Sequence, residues 1–355
     1  MVLYRGYTEL SKIYRGNTEV NKIYRGQTEV YTASSTGAST TAWITSDDSG
    51  NLFYTQADNG QSGWTDTGVN LGTGYLQDAV YNGSVWVAGT DDGIYQTSDT
   101  TATSGWSQVD STGTARSIMW TGNGWVASID GDVKYTTDTT GATGWTSYSG
   151  VTGTDTHMGL ANDGTQIFLA IRAGTSDFYS YSSTDFFGSL NRSSGPLSNF
   201  ARNVFYDTVN SRYILTGKDA NIVYATSING SWTNPGNAFD SNGISRIEYN
   251  GSYYCTIDSF TEIRTDTSPY STSWSSTNLN GFNVDRVNGP HWNGTAWMVG
   301  MRTTSGTTVL ASREDTNPNG TWTGVSAPTG FQNNRSLGCF PSKRPYYNTL
   351  TNLGT

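Results

Sequence analysis

Charge is scarce in this chain. Of its 355 residues only 14% are Asp, Glu, Lys or Arg, and 29 acidic side chains outnumber 20 basic ones, for a net charge of −9. A chain this acidic lacks the clustered Lys and Arg that phosphate contacts require, which excludes a general nucleic-acid binder. Cysteine is rarer still. Cys255 and Cys339 are the only two, and two thiols this far apart in sequence do not make a disulfide scaffold. Both are expected to be small buried apolar residues. His157 and His291 are the only histidines, and no Cys-x-x-Cys or metal-spaced His pair occurs. No Walker loop and no Gly-x-Ser-x-Gly elbow is present. No apolar run is long enough to span a bilayer, and the start MVLYRGYTEL has no secretory h-region. Helical periodicity is missing throughout. The expectation is a non-enzymatic protein with no metal, no cofactor and no membrane insertion.

What the chain does have is turns and aromatics: 42 Gly with 12 Trp, 22 Tyr and 12 Phe. Aromatic and β-branched residues between Gly, Asn, Asp and Ser clusters read as short strands joined by tight turns. Two periods are nested in this pattern. The first is a decapeptide: YRGYT at 4–8, YRGNT at 14–18 and YRGQT at 24–28, joined by ELSKI and EVNKI and closed by EVY. The second, longer unit is clearest at 75–109 and 115–148. Each copy reads as four strands: an apolar strand, an Asn-Gly hairpin, an aromatic strand, an Asp/Gly turn, a third strand, and a loop ending on Gly-Trp before a short outer strand. The closing aromatics Trp64, Trp106, Trp145, Phe187, Trp232, Trp274 and Trp322 recur at steps of 39 to 48 residues. Seven copies of a four-stranded unit predict a seven-bladed β-propeller over 42–344, preceded by a small antiparallel β-repeat segment.

The chain ends make that prediction sharper. The first copy begins at AWITSDDSGNLFYT without a first strand, and NRSLGCFPSKR (334–344) resembles a lone first strand. Residues 335–340 are therefore expected to pair with 42–46 and close the ring, which removes an exposed sheet edge. That places one copy between the two cysteines, too far for a disulfide. The expected division is a β-repeat anchor at 1–31, a linker at 32–41 (TASSTGASTT), the propeller at 42–344 and a tail at 345–355.

The loops TSDTTATSGW and TTDTTGATGW resemble the Asp-box turn of BNR/sialidase-like propellers, Ser-x-Asp-x-Gly-x-x-Trp. Here Asp99 and Trp106, Asp138 and Trp145, and Asp315 and Trp322 are seven apart instead of five. The resemblance implies the propeller and says little about chemistry. The N-terminal run KIYRGNTEVNKIYRGQTEV resembles short repeats of tail-associated and other virion proteins of bacteriophages. It covers residues 3–31 only. It implies a virion location, with assembly in the host cytoplasm.

Each decapeptide alternates, with Leu10, Lys12 and Tyr14 on one face and Glu9, Ser11, Ile13 and Arg15 on the other. The expected form is a meander of strands near 8–14, 18–24 and 28–31. One small sheet covers neither of its faces, so the segment must dock on its own propeller, on copies of itself or on another protein; the flexible joint at 32–41 favours other virion proteins or copies of itself over packing on the propeller's side. Tyr4, Arg5, Leu10, Ile13, Tyr14, Arg15, Val20, Ile23, Tyr24, Arg25 and Val30 are the candidate contact residues. The propeller loops are left to present a surface to a host glycan or receptor. The alternatives are a capsid decoration protein, or a sialidase-like glycoside hydrolase or lectin.

A sialidase would need three arginines on a substrate carboxylate, a Tyr–Glu pair and an acidic Asp. Arg116, Arg246, Arg286 and Arg335 stand at first-strand positions, where a propeller's innermost strand lines the channel. Glu248 is the only Glu beside such a strand and is read as a channel or surface charge. Trp120, Trp292 and Tyr270 fall off the period and are the aromatics free to be ligand platforms.

Overall fold

The computed structural model describes residues 4–5, 8–9, 14–15, 18–19, 22–25, 28–32, 41–148, 155–163, 166–173, 177–183, 191–194, 201–217, 222–227, 230–236, 239, 244–258, 261–279, 282, 284–303, 308–325, 331 and 338–342. The described residues are all β, and those between Thr41 and Ser342 form a β-propeller.

The second sheet shows the plan. Leu76–Tyr81, Trp86–Thr90, Gly93–Thr97 and Ser107–Asp110 follow one another as an antiparallel meander. Six such sheets have four strands, and one, built from Ala201–Asp207, Arg212–Gly217 and Ile222–Ala225, has three plus a single bridge from Tyr224 to Thr233. The first sheet draws on both ends of the chain: Phe340–Pro341 lies beside Trp43–Ser46, followed by Asn51–Thr55 and Thr65–Asn70. Phe340 pairs with Ile44 and Pro341 with Trp43. Successive first strands touch one another, and Phe340–Pro341 touches both Val284–Trp292 and Leu76–Tyr81.

The core is divided among the seams between neighbouring sheets. One seam packs Ile44, Leu52 and Phe340 against Leu76, Ala79 and Trp86; the next packs Val80 and Val87 against Ile118, Trp125 and Ala127. The largest side chains are the aromatics that open the second strands. Trp43, Trp86, Trp125 and Trp297 are fully buried. A buried indole N–H needs an acceptor. Each finds one in the loop before its own outer strand: Trp43 Nε1 donates to Asp58 O (2.9 Å), Trp86 to Thr100 O (3.2 Å), Trp125 to Thr139 O (3.0 Å) and Trp297 to Thr316 O (3.3 Å).

Three of those carbonyls accept a second bond from the preceding sheet. Asn293 Nδ2 donates to Asp58 O at 2.7 Å, Asn82 Nδ2 to Thr139 O at 3.2 Å, and Asn250 Nδ2 to Thr316 O at 2.5 Å. These asparagines sit in the Asn-Gly hairpins between first and second strands. The Oδ1 of each caps its own turn, accepting from Ser84 and Val85, Ser252 and Tyr253, or Thr295 and Ala296. The glycines that follow, Gly83, Gly251 and Gly294, take φ of 99°, 96° and 100°, a region open to glycine at little cost. In the third sheet Thr121 stands at this position and turns its hydroxyl to Gly124 O instead.

The stretched Asp turns have their own logic. Asp99 accepts bonds from the backbone and hydroxyl of Thr101, from both groups of Thr103, and from Ser104 Oγ; Asp138 does the same with Thr140 and Thr143. Thr97 and Thr136 span the loop, each donating to a carbonyl seven residues on. The closing tryptophans Trp64, Trp106, Trp145 and Trp322 each donate Nε1 to the carbonyl four residues earlier. In the last sheet Arg313 takes the place of Thr97 and bonds Asn317 O and Thr321 O.

Both cysteines are free and buried, Cys255 against Ile257 and Trp297, Cys339 against Trp43 and Met298. Burial pushes the Cys339 thiol up to about 12.

The N-terminal repeats form three separate two-stranded hairpins rather than the expected meander over 8–14, 18–24 and 28–31. Tyr4–Arg5 pairs with Thr8–Glu9, Tyr14–Arg15 with Thr18–Glu19, and Lys22–Arg25 with Thr28–Thr32. The chain reverses within each YRGxTE phrase, where glycine permits a tight turn. Leu10, Ile13 and Val20, the linker residues 33–40, Phe187, the stretch 335–337 and the tail 345–355 lie outside the described residues.

Two outcomes follow. Asn293→Ala removes a donor to Asp58 O and two acceptor bonds in the turn, so urea denaturation should show a loss of about 2 kcal/mol. For Asp99, burial acts to raise the carboxyl, but hydrogen bonds from Thr101, Ser104 and Thr103 outweigh it and hold it at about 2, below its ordinary 3.8. A depressed carboxyl stabilises the fold above its unfolded pKa and loses that contribution as pH falls through the folded one. Stability of the native chain should therefore fall more steeply between about pH 4 and about pH 2 than that of Asp99→Asn, as read by thermal melts across that range.

Candidate functional site: the channel and its charged spine

Propellers commonly hold ligands over the channel lined by their first strands, so the ionisable groups there bear most directly on function. Four come together. Asp78 sits on Leu76–Tyr81, Arg246 and Glu248 on Ile244–Tyr249, and His291 on Val284–Trp292. Arg246 Nη2 lies 3.4 Å from Asp78 Oδ2, a contact between strands of the second and sixth sheets, which are not neighbours. The guanidinium therefore reaches across the channel. Its Nη1 lies 3.2 Å from His291 Nε2, and His291 Nδ1 lies 3.1 Å from Glu248 Oε2.

The chemistry of the partners sets the histidine tautomer. An arginine only donates, so Nε2 accepts and Nδ1 carries the proton given to Glu248. Glu248 Oε1 accepts from Trp292 N at 3.0 Å. Asp78 is completely buried and accepts from Ala79 N, Ile118 N and Ser117 Oγ. The ring of His291 faces Phe340 at 5.0 Å between centroids. By strand register, Glu248 and His291 occupy the place that Val80, Met119 and Phe205 fill elsewhere. Two seam positions that are apolar in those sheets thus carry a hydrogen-bonded carboxylate–imidazole couple here. Cys255, the cross-strand neighbour of Glu248, has its thiol raised by burial and by that carboxylate.

This arrangement binds the channel wall to itself. Glu248 is 1% exposed, so it is neither the channel charge nor the surface charge that its sequence context suggests. A glycosidase carboxyl must reach substrate. This one is enclosed, with both oxygens hydrogen-bonded.

The other sequence candidates are spread apart. Arg116 makes a two-pronged pair with Asp130 on its own sheet, 2.7 Å through both Nε and Nη2. The side chains of Arg286 and His157, and all of Arg335, lie outside the described residues. Trp120 packs on Trp125 and Trp292 on Trp297, with ring centroids 4.9 and 5.1 Å apart. Tyr270 donates its hydroxyl to Asp207 at 2.8 Å, and Arg212 lies over the rings of both Tyr270 and Tyr224. These three aromatics are packing elements. Of the anchor residues, Tyr4, Arg5, Tyr14, Arg15, Ile23, Tyr24, Arg25 and Val30 fall in the hairpin strands. Among the described residues no group of three or more His, Cys, Asp or Glu could hold a metal ion. Sequence reasoning missed Asp78, whose partners are 40 and 168 residues away. No local signal marks it.

Removing the Glu248 carboxylate would leave His291 Nδ1–H and Trp292 N–H buried without their acceptor. Glu248→Ala should cost about 3–5 kcal/mol in urea denaturation, and Glu248→Gln, which keeps one acceptor oxygen, clearly less.

Comparison with known proteins supports the fold. No family model matches the chain, and no curated protein does. Solved propellers do. The structure titled YCF48 bound to D1 peptide is similar at 13% identity and a TM-score of 0.57, over 79% of this chain and 90% of that one. The WD40 β-propeller domain of Doa1 is similar at 12% identity and 0.56, over 77% and 90%. The computationally designed Ika8 protein is similar at 12% and 0.51, over 75% and 79%. At such identities the shared property is the β-propeller architecture.

Proposed function

We propose that this chain is a non-enzymatic phage structural protein, tail-associated, whose N-terminal repeats fix it to the particle while a seven-bladed propeller presents loops to the host surface or a partner. The observation that carries this reading is the threefold YRGxTE phrase, each copy folded as its own hairpin. A hairpin of two-residue strands is not stable alone. Three successive ones, the third longer than the first two, recur every ten residues in sequence and offer strand edges suited to adding strands from other virion proteins or from a second copy of the chain. The repeat is the feature whose resemblance points to virions.

The sheets support the seven-bladed reading. Six four-stranded sheets and one of three strands, with successive first strands in contact and Phe340–Pro341 between the last and the second, support seven blades closed by the C-terminal strand. Closure of this kind leaves the propeller without a free inner edge. The enclosure of Glu248 and the mutual engagement of Arg246, His291 and Asp78 favour a binding scaffold over a hydrolase.

Immunogold electron microscopy of source particles, with antibody against residues 42–344, should place gold at the tail. Label over the head would make this a capsid decoration protein, and unlabelled particles would sink the virion reading. A chain lacking residues 1–31 should keep its melting temperature but fail to join particles. Glycan turnover by the native chain that is abolished in Glu248→Gln would overturn the non-enzymatic assignment.

A further inference from the structure

A groove of about 430 Å³ opens at the outer rim between the sixth and seventh sheets. One wall is Thr277 and Asn278 at the end of the outer strand Ser275–Asn278. The other is Gly320 and Thr321, in the loop before the outer strand Thr323–Val325. Phe282 is its partly exposed aromatic, backed by the buried Leu279 and Trp322.

Three details make it a formed site. Thr277 Oγ1 donates to Asn319 Oδ1 at 2.6 Å and accepts from Gly320 N at 3.0 Å, so the two walls are tied beneath the opening. Trp322 is held by its Nε1 bond to Pro318 O, and Arg313 holds the loop from behind through Asn317 O and Thr321 O. Phe282 is positioned by its N–H bond to Leu279 O and lies across Gly324. A Cβ at Gly324 would meet the Phe282 ring at 2.8 Å, so glycine at that outer-strand position is what lets the ring lie there. By strand register the equivalent residue in the second sheet is Gln108.

Among the described residues the lining is aromatic, aliphatic, amide and hydroxyl, with no ionisable side chain. The one cation close by, Arg313, is already engaged with Asn317 O, Thr321 O and Asp315, so a charged ligand would lose its hydration without gaining a free countercharge from the described lining. A neutral sugar ring fits this chemistry: its C–H face is apolar and suits an aromatic surface, while its hydroxyls exchange bonds with amides and hydroxyls. The volume is within the range of small-ligand sites.

We propose that this groove binds a neutral saccharide, with the sugar against Phe282 and its hydroxyls toward Asn278 and Thr321. The proposal rests on the propeller being a recognition module and names the ligand class and place. The test is saturation-transfer NMR and calorimetry of the full chain with neutral oligosaccharides (lactose, maltotriose, chitotriose), with sialyllactose as the acidic control, alongside attachment to host cells. Binding of a neutral sugar is expected, weakened at least tenfold by Thr321→Glu, which fills the exposed mouth with bulk and charge without touching the core. Phe282→Ala should do the same, with its melting curve showing whether the fold survives. Neutral-sugar binding unaffected by Thr321→Glu, or preference for sialyllactose, would overturn the groove. Cell attachment without neutral-sugar binding would also overturn it and leave the recognition reading standing. A chain that binds neither sugars nor cells would sink both.

Discussion

A single backbone carbonyl in the loop before an outer strand sets the geometry of this propeller. It accepts the indole of its own sheet's buried tryptophan and the amide of the previous sheet's hairpin asparagine. The indole fixes how deeply the loop sits on its sheet. The amide fixes where the next sheet begins. A carbonyl has two lone pairs, and here each does a different job. Because the asparagine also caps its own turn, one residue couples the shape of a hairpin to the angle between sheets. The relation recurs at Asp58, Thr139 and Thr316, which is why sheets of differing loop length still stack in register.

Such a molecule gains stability seam by seam, as repeat proteins do. Most seams are aliphatic and aromatic. The one between the sixth and seventh sheets carries Glu248 and His291, and through Arg246 it is linked to Asp78 far around the channel. Burying such groups contributes little net stability but penalises any arrangement that leaves one unpaired. Their effect is on specificity.

The sequence made the architecture legible because its signals are local. Asn-Gly before an aromatic strand marks a hairpin, and Gly-Trp marks the outer strand. The lone strand near residue 340 could be recognised from its likeness to ARSIMWTGNG. The channel spine was not legible. Arg246 and Asp78 meet only because two first strands face each other across the channel, and nothing near either residue encodes that. Glu248 was misjudged for the same reason: its alternation in RIEYNG fits an exposed site as well as a seam, and only the partner His291 decides. In the anchor, alternation over residues 9–15 suggests a strand near 8–14 within a meander. The Arg-Gly-x-Thr turn prevailed locally, reversing the chain every ten residues.

The hairpin asparagines also bear on how this protein ages. Asn-Gly is the dipeptide most prone to deamidation, because glycine lets the following backbone nitrogen attack the side-chain amide. Asn82, Asn250 and Asn293 all precede glycine, yet each amide is held at both ends, Oδ1 by two backbone N–H groups and Nδ2 by a neighbouring sheet's carbonyl. Attack requires the side chain to swing out of those bonds. Should it occur, the new carboxylate would aim an oxygen at a carbonyl oxygen and push the two sheets apart. At these three positions chemical stability and the contact between sheets are tied to the same side chains, and the intact fold guards the residues whose decay would loosen it.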